Sequence, residues 1–281
     1  MSLSSTRRFY AVLTALAVIL ILVFYLFPYW WVVVTSLRTQ EEERAAPWVL
    51  YPNPVHLVNY EKIFFEDAFS VLTGLKNTLI VSAITTVICV FLGSLAGYAY
   101  ARIPFRGRAL SIGLMLATWT IPWLLVMIPL WAIMYDLQLI DTKAGLVVGF
   151  VSGFAPITTW IMMSHFRSLP VELEDSARVD GCSRVGALFR IVLPISTPAM
   201  MAAGAFALIS SMGEFLFSLI VTTTDQSRTL PVVLASLVGK YVTEKTIMAA
   251  GTIIAAIFPL VLVTVFQRYL IAGLSAGAVK G

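Results

Sequence analysis

Residues 168–198 read SLPVELEDSARVDGCSRVGALFRIVLPISTP, the one long polar segment in the second half of a chain otherwise built from apolar runs. Its internal order is helix, glycine turn, helix, proline. Pro170 stands where a first helical turn tolerates it, because that N–H has no intrahelical partner in any case. Glu172, Glu174 and Asp175 precede Arg178, the charge order a helix dipole favours, and Glu174 with Arg178 makes an expected i,i+4 pair. Gly181 is expected to end this helix in the left-handed conformation. Ser183 is the candidate N-cap of a second helix whose apolar side is Val185, Leu188, Phe189 and Val192. Pro194 is expected to stop it, and Thr197-Pro198 to cap and open the next membrane helix. On periodicity alone, this is a helical hairpin linking two membrane spans.

Composition sets the class. Of the 281 residues, 59% are hydrophobic and 12% charged, about half the charged share usual in soluble domains, and apolar runs of membrane-spanning length recur. The net charge of +4 therefore marks topology rather than a nucleic-acid surface. Cys89 lies in an apolar run and Cys182 in the polar segment, so no disulfide is expected, and with only His56 and His165 no metal cluster can be assembled. No G-x-x-x-x-G-K-[ST] loop is present, which places any nucleotide hydrolysis on another chain.

The fold class expected is all-α, a polytopic membrane protein of six spans at about 9–36, 71–100, 109–134, 144–165, 198–222 and 246–271, forming one permease domain. Residues 166–197 make its cytoplasmic loop. The first span is too long for a signal-peptide core and carries Pro28, then Tyr29, Trp30 and Trp31 near an interface. Residues 38–69, with Glu41 to Glu43, Pro47, Pro52 and Pro54, read as an extended, irregular insert outside the membrane. Pro122 and Pro129 interrupt the third span and Pro259 bends the sixth. A helical piece is expected within the last outer loop at 230–238. Of the 19 Lys and Arg, 11 fall at cytoplasmic positions and 8 outside if both termini are cytoplasmic.

Two features inside the spans invite a functional reading. Glu214 is the only acid well within one, where ionisable groups are costly and default to function; the alternative is a structural role, with Ser210 and Ser211 close by. Trp119 and Pro122 fall in the proline-broken third span, which suits either a solute path or an ordinary kinked helix.

The polar segment also carries a resemblance. Asp175-Ser176-Ala177, then Gly181, then Ile191-Val192-Leu193-Pro194 is similar to the cytoplasmic signature of ABC importer permeases: Glu-Ala-Ala, three residues, Gly, nine residues, Ile-x-Leu-Pro. Asp replaces Glu and Ser replaces the first Ala, with both spacings kept. Other stretches resemble the carbohydrate branch of that family, most nearly the smaller permease of maltose-type systems. They are Phe27-Pro28-Tyr29-Trp30, Asn59-Tyr60, Tyr98-Ala99-Tyr100-Ala101-Arg102, Phe105-Arg106-Gly107-Arg108 and the tail from Phe266 to Gly281. One departure is Met212-Gly213-Glu214-Phe215, where the family usually has Trp-Asn-Glu-Phe.

The resemblance implies a non-catalytic subunit of a cell-membrane importer for a sugar or oligosaccharide. It would pair with a second permease, most simply a different chain, above two ATP-binding subunits, and receive solute from an extracytoplasmic binding protein. No cofactor is implied on this chain; ATP and Mg belong to the partner ATPases, and membrane lipid surrounds the spans. Coupling would fall to Glu174, Asp175, Ser176, Ala177, Arg178, Asp180, Gly181, Leu193 and Pro194. A translocation path would draw on Glu214, Phe215, Trp119 and Pro122. Glycerol phosphate or a polyol is the alternative solute. An ion-coupled secondary transporter is the competing class, but this chain shows one intramembrane acid and no repeat.

Overall fold

In hydrocarbon there is no water to satisfy backbone amides and carbonyls, so an apolar run closes them on itself as a helix. The computed structural model describes residues 3–66, 70–240 and 244–278, and every element among them is helical. The first half of the chain holds α1 (Leu3–Ser36), α2 (Gln40–Ala45), α3 (Val58–Phe65), α4 (Val71–Arg102), α5 (Arg108–Ala117) and α6 (Trp123–Asp136). Then come α7 (Lys143–Ser168), α8 (Glu172–Val179), α9 (Arg184–Ala187), a π-helical turn (Leu188–Val192) and α10 (Leu193–Ile195). The last part holds α11 (Thr197–Met212), α12 (Leu216–Val221), α13 (Leu230–Lys240) and α14 (Lys245–Ala278). The expected tail end Val279-Lys280-Gly281 and Phe69, the last residue of the expected insert, lie outside the described residues.

Among the described residues, four helices, α1, α4, α7 and α14, are long and apolar enough to cross a membrane. The third and fifth expected spans are each broken in two. Residues 118–122 separate α5 from α6, because Pro122 has no N–H to donate and holds an extended ψ of 124°. The Thr118 and Thr120 hydroxyls donate to the carbonyls of Met115 (2.6 Å) and Ala117 (2.8 Å), supplying part of the hydrogen bonding that the break removes. Pro28, Pro129 and Pro259, by contrast, lie inside continuous helices. Residues 213–215 separate α11 from α12, so the stretch 198–222 is not one helix either.

The insert at 38–69 is less irregular than its prolines suggest, since α2 and α3 lie within it. Thr39 and Glu42 form a capping box. The Thr39 hydroxyl accepts from the Glu42 amide (3.3 Å), and the Glu42 carboxylate accepts from the Thr39 amide (2.9 Å). Asn59 donates to the carbonyls of Ser36 (2.8 Å) and Arg38 (2.7 Å), which the end of α1 would otherwise leave unpaired. The Tyr60 hydroxyl lies 2.8 Å from the Ser36 hydroxyl. The Asn59-Tyr60 pair therefore closes the C-terminal end of α1.

The chain divides into two compact units. One holds α1 to α3 with Leu234–Ala256; within it Lys245 reaches Glu43 (3.5 Å) and Thr246 reaches Gln40 (3.2 Å). The other holds Leu72–Val233 with the chain from Ile257 onward. In this second unit α7 is central. Gly97 of α4 faces it so closely that a Cβ there would lie 2.8 Å from the Met163 amide nitrogen. Such close approach through small residues is how helices associate where lipid offers no hydrophobic drive. At the far end of α7, Phe217 fills the space over Gly149 and packs with Met127, Met134, Leu146 and Phe150.

One carboxylate ties two loops of this unit together. Asp141 accepts from the amides of Thr223 (2.8 Å) and Thr224 (3.0 Å) and from the Thr224 and Ser227 hydroxyls. Asn77 fixes the other side of the same loop by donating to the carbonyls of Asp225, Gln226 and Arg228. Burial by itself would raise the Asp141 pKa, but the donated hydrogen bonds outweigh it and hold the carboxyl well below the usual range. A depressed pKa stabilises the fold above the unfolded value, near 4, and that contribution is lost as pH falls through the folded value. Asp141→Asn is therefore expected to speed amide hydrogen exchange at Thr223 and Thr224 at neutral pH. The wild type's protection factors should hold from pH 5 to 9 and fall only in stronger acid; equal protection factors in both proteins at neutral pH would exclude the tie.

Candidate functional site: the polar segment between α7 and α11

α8 has two unlike faces. Glu174 and Ala177, three residues apart, are 8% and 2% exposed, whereas Leu173, Asp175, Ser176, Arg178 and Val179 all face outward. The inward face is fixed by charge. Arg102, the last residue of α4, sets its Nε 2.7 Å from one Glu174 oxygen, and the Tyr98 hydroxyl donates to the other at 2.7 Å. Arg102 also donates to the Leu169 carbonyl (2.7 Å), just before α8 begins. The expected Glu174–Arg178 pair is therefore not formed: Glu174 turns inward, and Arg178 pairs loosely with Asp175 at 3.7 Å. A buried carboxylate gains more from two donors held by the body of the protein than from a solvated arginine on its own helix.

Gly181 has φ +87° and ends α8 as expected. Its amide bonds the Arg178 carbonyl and the Cys182 amide bonds the Ala177 carbonyl, the paired closure of a Schellman motif. A Cβ at Gly181 would meet nothing within 4 Å, so only the backbone angle disfavours a side chain there. Pro170 lies just before α8 rather than in its first turn. Ser183 caps the next helix by accepting from the Gly186 amide at 3.1 Å, as read from the sequence.

Pro194 does not stop that helix. The backbone widens into the π turn at Leu188–Val192, and helix continues through Pro194 to Ile195. The direction changes at Ser196 instead, with 75° between Arg184–Ile195 and Thr197–Met212. Ser196, not Thr197, occupies the N-cap position of α11, and its hydroxyl donates to the Val192 carbonyl at 2.6 Å. The bend is anchored by burial of Leu188 and Val192 among Tyr98, Met162, Phe166, Ala199 and Ala203, with Leu193 packed at the edge and Pro194 exposed. The segment is thus fastened twice, by the Glu174 pair and by this apolar cluster. Asp175, Ser176, Arg178, Asp180 and Gly181 remain on the outside. Ala177 packs inward and is not among the surface residues, because it shares the Glu174 side of α8.

The other expected residues gather at the two helix breaks. Trp119 and Pro122 belong to the first, Glu214 and Phe215 to the second. Trp119 lies 6.0 Å from Phe206 of α11, and Trp123 lies 6.1 Å from Phe217 of α12. Glu214 caps α12: its carboxylate accepts from the amides of Phe217 (2.9 Å) and Ser218 (3.1 Å) and from the Ser218 hydroxyl (3.2 Å). The anticipated serine partners differ, since Ser211 donates to the Ala207 carbonyl of its own helix. Sequence reading missed Tyr98 and Arg102 as partners of Glu174. Their i,i+4 spacing, which puts a hydroxyl and a guanidinium on one face of a helix end, is the signal that points to them.

The Arg102 and Glu174 side chains are 11% and 10% exposed, so removing one strands the other. Arg102→Ala is expected to cost about 3–5 kcal/mol and to open residues 168–198 to protease. Arg102→Ala with Glu174→Ala together should cost clearly less than the sum of the single changes. Thermal unfolding of the purified protein reads both; strictly additive losses would mean that the two groups do not interact.

Known proteins share much of this sequence and fold. The family described as "Binding-protein-dependent transport system inner membrane component" matches residues 89–275. The permease SmoH of a sulfoquinovosyl glycerol transport system from Agrobacterium fabrum is 32% identical, over 95% of this chain and 93% of its own. MalG of a trehalose/maltose system from Thermococcus litoralis is 32% identical, over 96% and 97%. SugB of a trehalose system from Mycobacterium tuberculosis is 35% identical, over 83% and 85%. Among solved structures, a chain of a bacterial ABC transporter that imports alginate superposes with a TM-score of 0.80 at 20% identity, covering 96% of this chain and 98% of that one. The chain belongs to the inner-membrane components of binding-protein-dependent transport systems, the multi-pass, non-catalytic permease subunits of ABC importers.

Proposed function

We propose that this chain is one of two permeases forming the path for a sugar or oligosaccharide, driven by partner ATPases that dock on the outward face of α8. The relatives named above are permeases for trehalose, maltose and sulfoquinovosyl glycerol transport, all glycosides, which supports that solute class. An extracytoplasmic binding protein delivers the solute; ATP and Mg are bound by the ATPases. The chain crosses the membrane six times with both termini cytoplasmic, the broken pairs α5–α6 and α11–α12 each counting as one crossing.

The observation that carries this reading is the division of α8 into a face bonded to α4 and a face left outside. Docking alone does no work. A partner shifts an equilibrium only if it contacts two states differently, and its motion reaches the spans only through a rigid connection. The Tyr98–Glu174–Arg102 contact supplies that connection. Asp175, Ser176, Arg178, Asp180 and Gly181 then meet the ATPase, and Leu193 and Pro194 sit at the base of the bend. Trp119, Pro122, Glu214 and Phe215 border the path. Glu214 serves it by holding α12 at the break, which leaves backbone groups available beside a polar route.

The test is reconstitution. Solute uptake should require ATP and the binding protein, and an ion gradient alone should drive none. Crosslinkers on Cys182 should capture an ATPase. Gly181→Asp should insert normally, since the left-handed angle costs an Asp only about 1–2 kcal/mol, yet should abolish uptake. Uptake and stimulated ATPase activity both near wild type in that variant would remove the loop from the coupling path. Glu214→Gln, which keeps one acceptor for the α12 amides, should change uptake while the complex still assembles; loss of assembly would restrict Glu214 to structure.

A further inference from the structure

Residues 46–55 read APWVLYPNPV, ten positions without a charge between the acidic α2 and α3. Trp48 is 85% exposed and Tyr51 66%, and Leu50 and Val55 are exposed as well. In water this would be a costly surface. Its position relative to α1 is fixed at three points. The Trp30 indole donates to the Leu50 carbonyl at 2.8 Å, the Trp31 and Trp48 rings lie 5.5 Å apart, and the His56 amide bonds the Leu37 carbonyl at 2.9 Å. Trp30 lies six residues before the end of α1, or about 9 Å along the axis. The segment therefore leaves α2, descends beside α1 by about two turns, and returns to the helix end at His56.

We propose that residues 46–55 form an interfacial loop embedded in the membrane boundary at the C-terminal end of α1, with phospholipid covering its aromatic and aliphatic side chains. The proposal rests on α1 crossing the membrane and is independent of the solute and of the coupling mechanism. Three observations select lipid as the occupant. First, the loop continues an exposed apolar surface: every described side chain of α1 from Tyr10 to Trp30 is exposed, with Tyr29 and Trp30 at the depth of Leu50. Tryptophan and tyrosine collect at that depth because one end of each ring system is apolar and the other hydrogen-bonds. Second, the descent of about 9 Å matches the depth to which interfacial segments bury their apolar side. Pro47, Pro52 and Pro54 remove three amide donors that a poorly hydrated loop would otherwise have to satisfy.

Third, the polar groups behind the loop are already engaged. A recess of about 640 Å³ is lined by Trp48, Val49, Leu50, Tyr51 and Asn53 together with Arg38 and Glu42. Arg38 donates to the carbonyls of Glu42 and Ala46, while Glu42 accepts from the Thr39 amide and lies 3.1 Å from His56. Apart from Asn53, the recess offers mostly apolar and aromatic surface beside these engaged groups, which suits acyl chain and glycerol backbone better than a sugar.

The full transporter reconstituted in bilayers containing phosphatidylcholine brominated near the headgroup tests this. The emission lost on changing Trp48→Phe isolates the Trp48 signal. That signal should be largely quenched by the brominated lipid and resist aqueous iodide, whether or not the binding protein is present. Quenching by iodide and not by lipid would overturn the proposal, as would protection from iodide only when the binding protein is added, which would make the loop a protein-docking face. A spin label at Leu50→Cys, with the native cysteine signal subtracted from the unsubstituted chain, gives a second reading that spares Trp48. It should collide with oxygen more than with a water-soluble nickel chelate, and the reverse order would equally reject the lipid contact.

Discussion

A carboxylate withdrawn from water has to be met by donors that do not move away. In this permease that requirement is satisfied by Tyr98 and Arg102 on one side and Glu174 on the other, joining residues more than seventy positions apart in the chain. The joint decides which face of α8 is turned inward, and by exclusion which face stays outside. It also makes a short polar helix, which would be marginal alone, part of the body that includes α4. Force applied to the outward face then has a path into a membrane-crossing helix.

The same logic of local satisfaction governs the broken helices. Each break frees backbone groups from the helical pattern, and a nearby side chain takes some of them up: Thr118 and Thr120 at the first, Glu214 and Ser218 at the second. These residues are polar in an apolar context because the backbone beside them is irregular. Their cost is offset locally, so a break can persist as a stable feature of the fold. The apolar counterpart is the pairing of glycines with bulky neighbours, Gly149 under Phe217 and Gly97 against α7, which sets how near the helices can come.

Much of the architecture was legible in advance because membrane helices are decided by composition over twenty residues. The ends of α4 and α7 were read within three positions, while α1 begins six residues earlier and α14 ends seven later than expected; the Gly181 and Ser183 caps were found, since φ and hydroxyl requirements at a helix end are local. The errors were at positions where helix competes with something nearby. Pro194 was read as a stop, yet the chain absorbs it with a π turn and bends at Ser196. Residues 213–215 were read as helix, yet a glycine followed by a capping glutamate ends one helix and starts another. The T-x-x-E box at Thr39 was present in the sequence but went unread, because the prolines after it marked the stretch as irregular.

The sequence by itself determined the class of molecule, the course of its apolar helices and the family signature in residues 175–194, because hydropathy, capping and spacing are properties of neighbours in the chain. Which partner Glu174 takes was decided by the tertiary structure alone. Arg178, one turn away, and Arg102, seventy-two residues away, are both arginines, and only the packing of α8 against the end of α4 makes the distant one the shielded and therefore stronger choice.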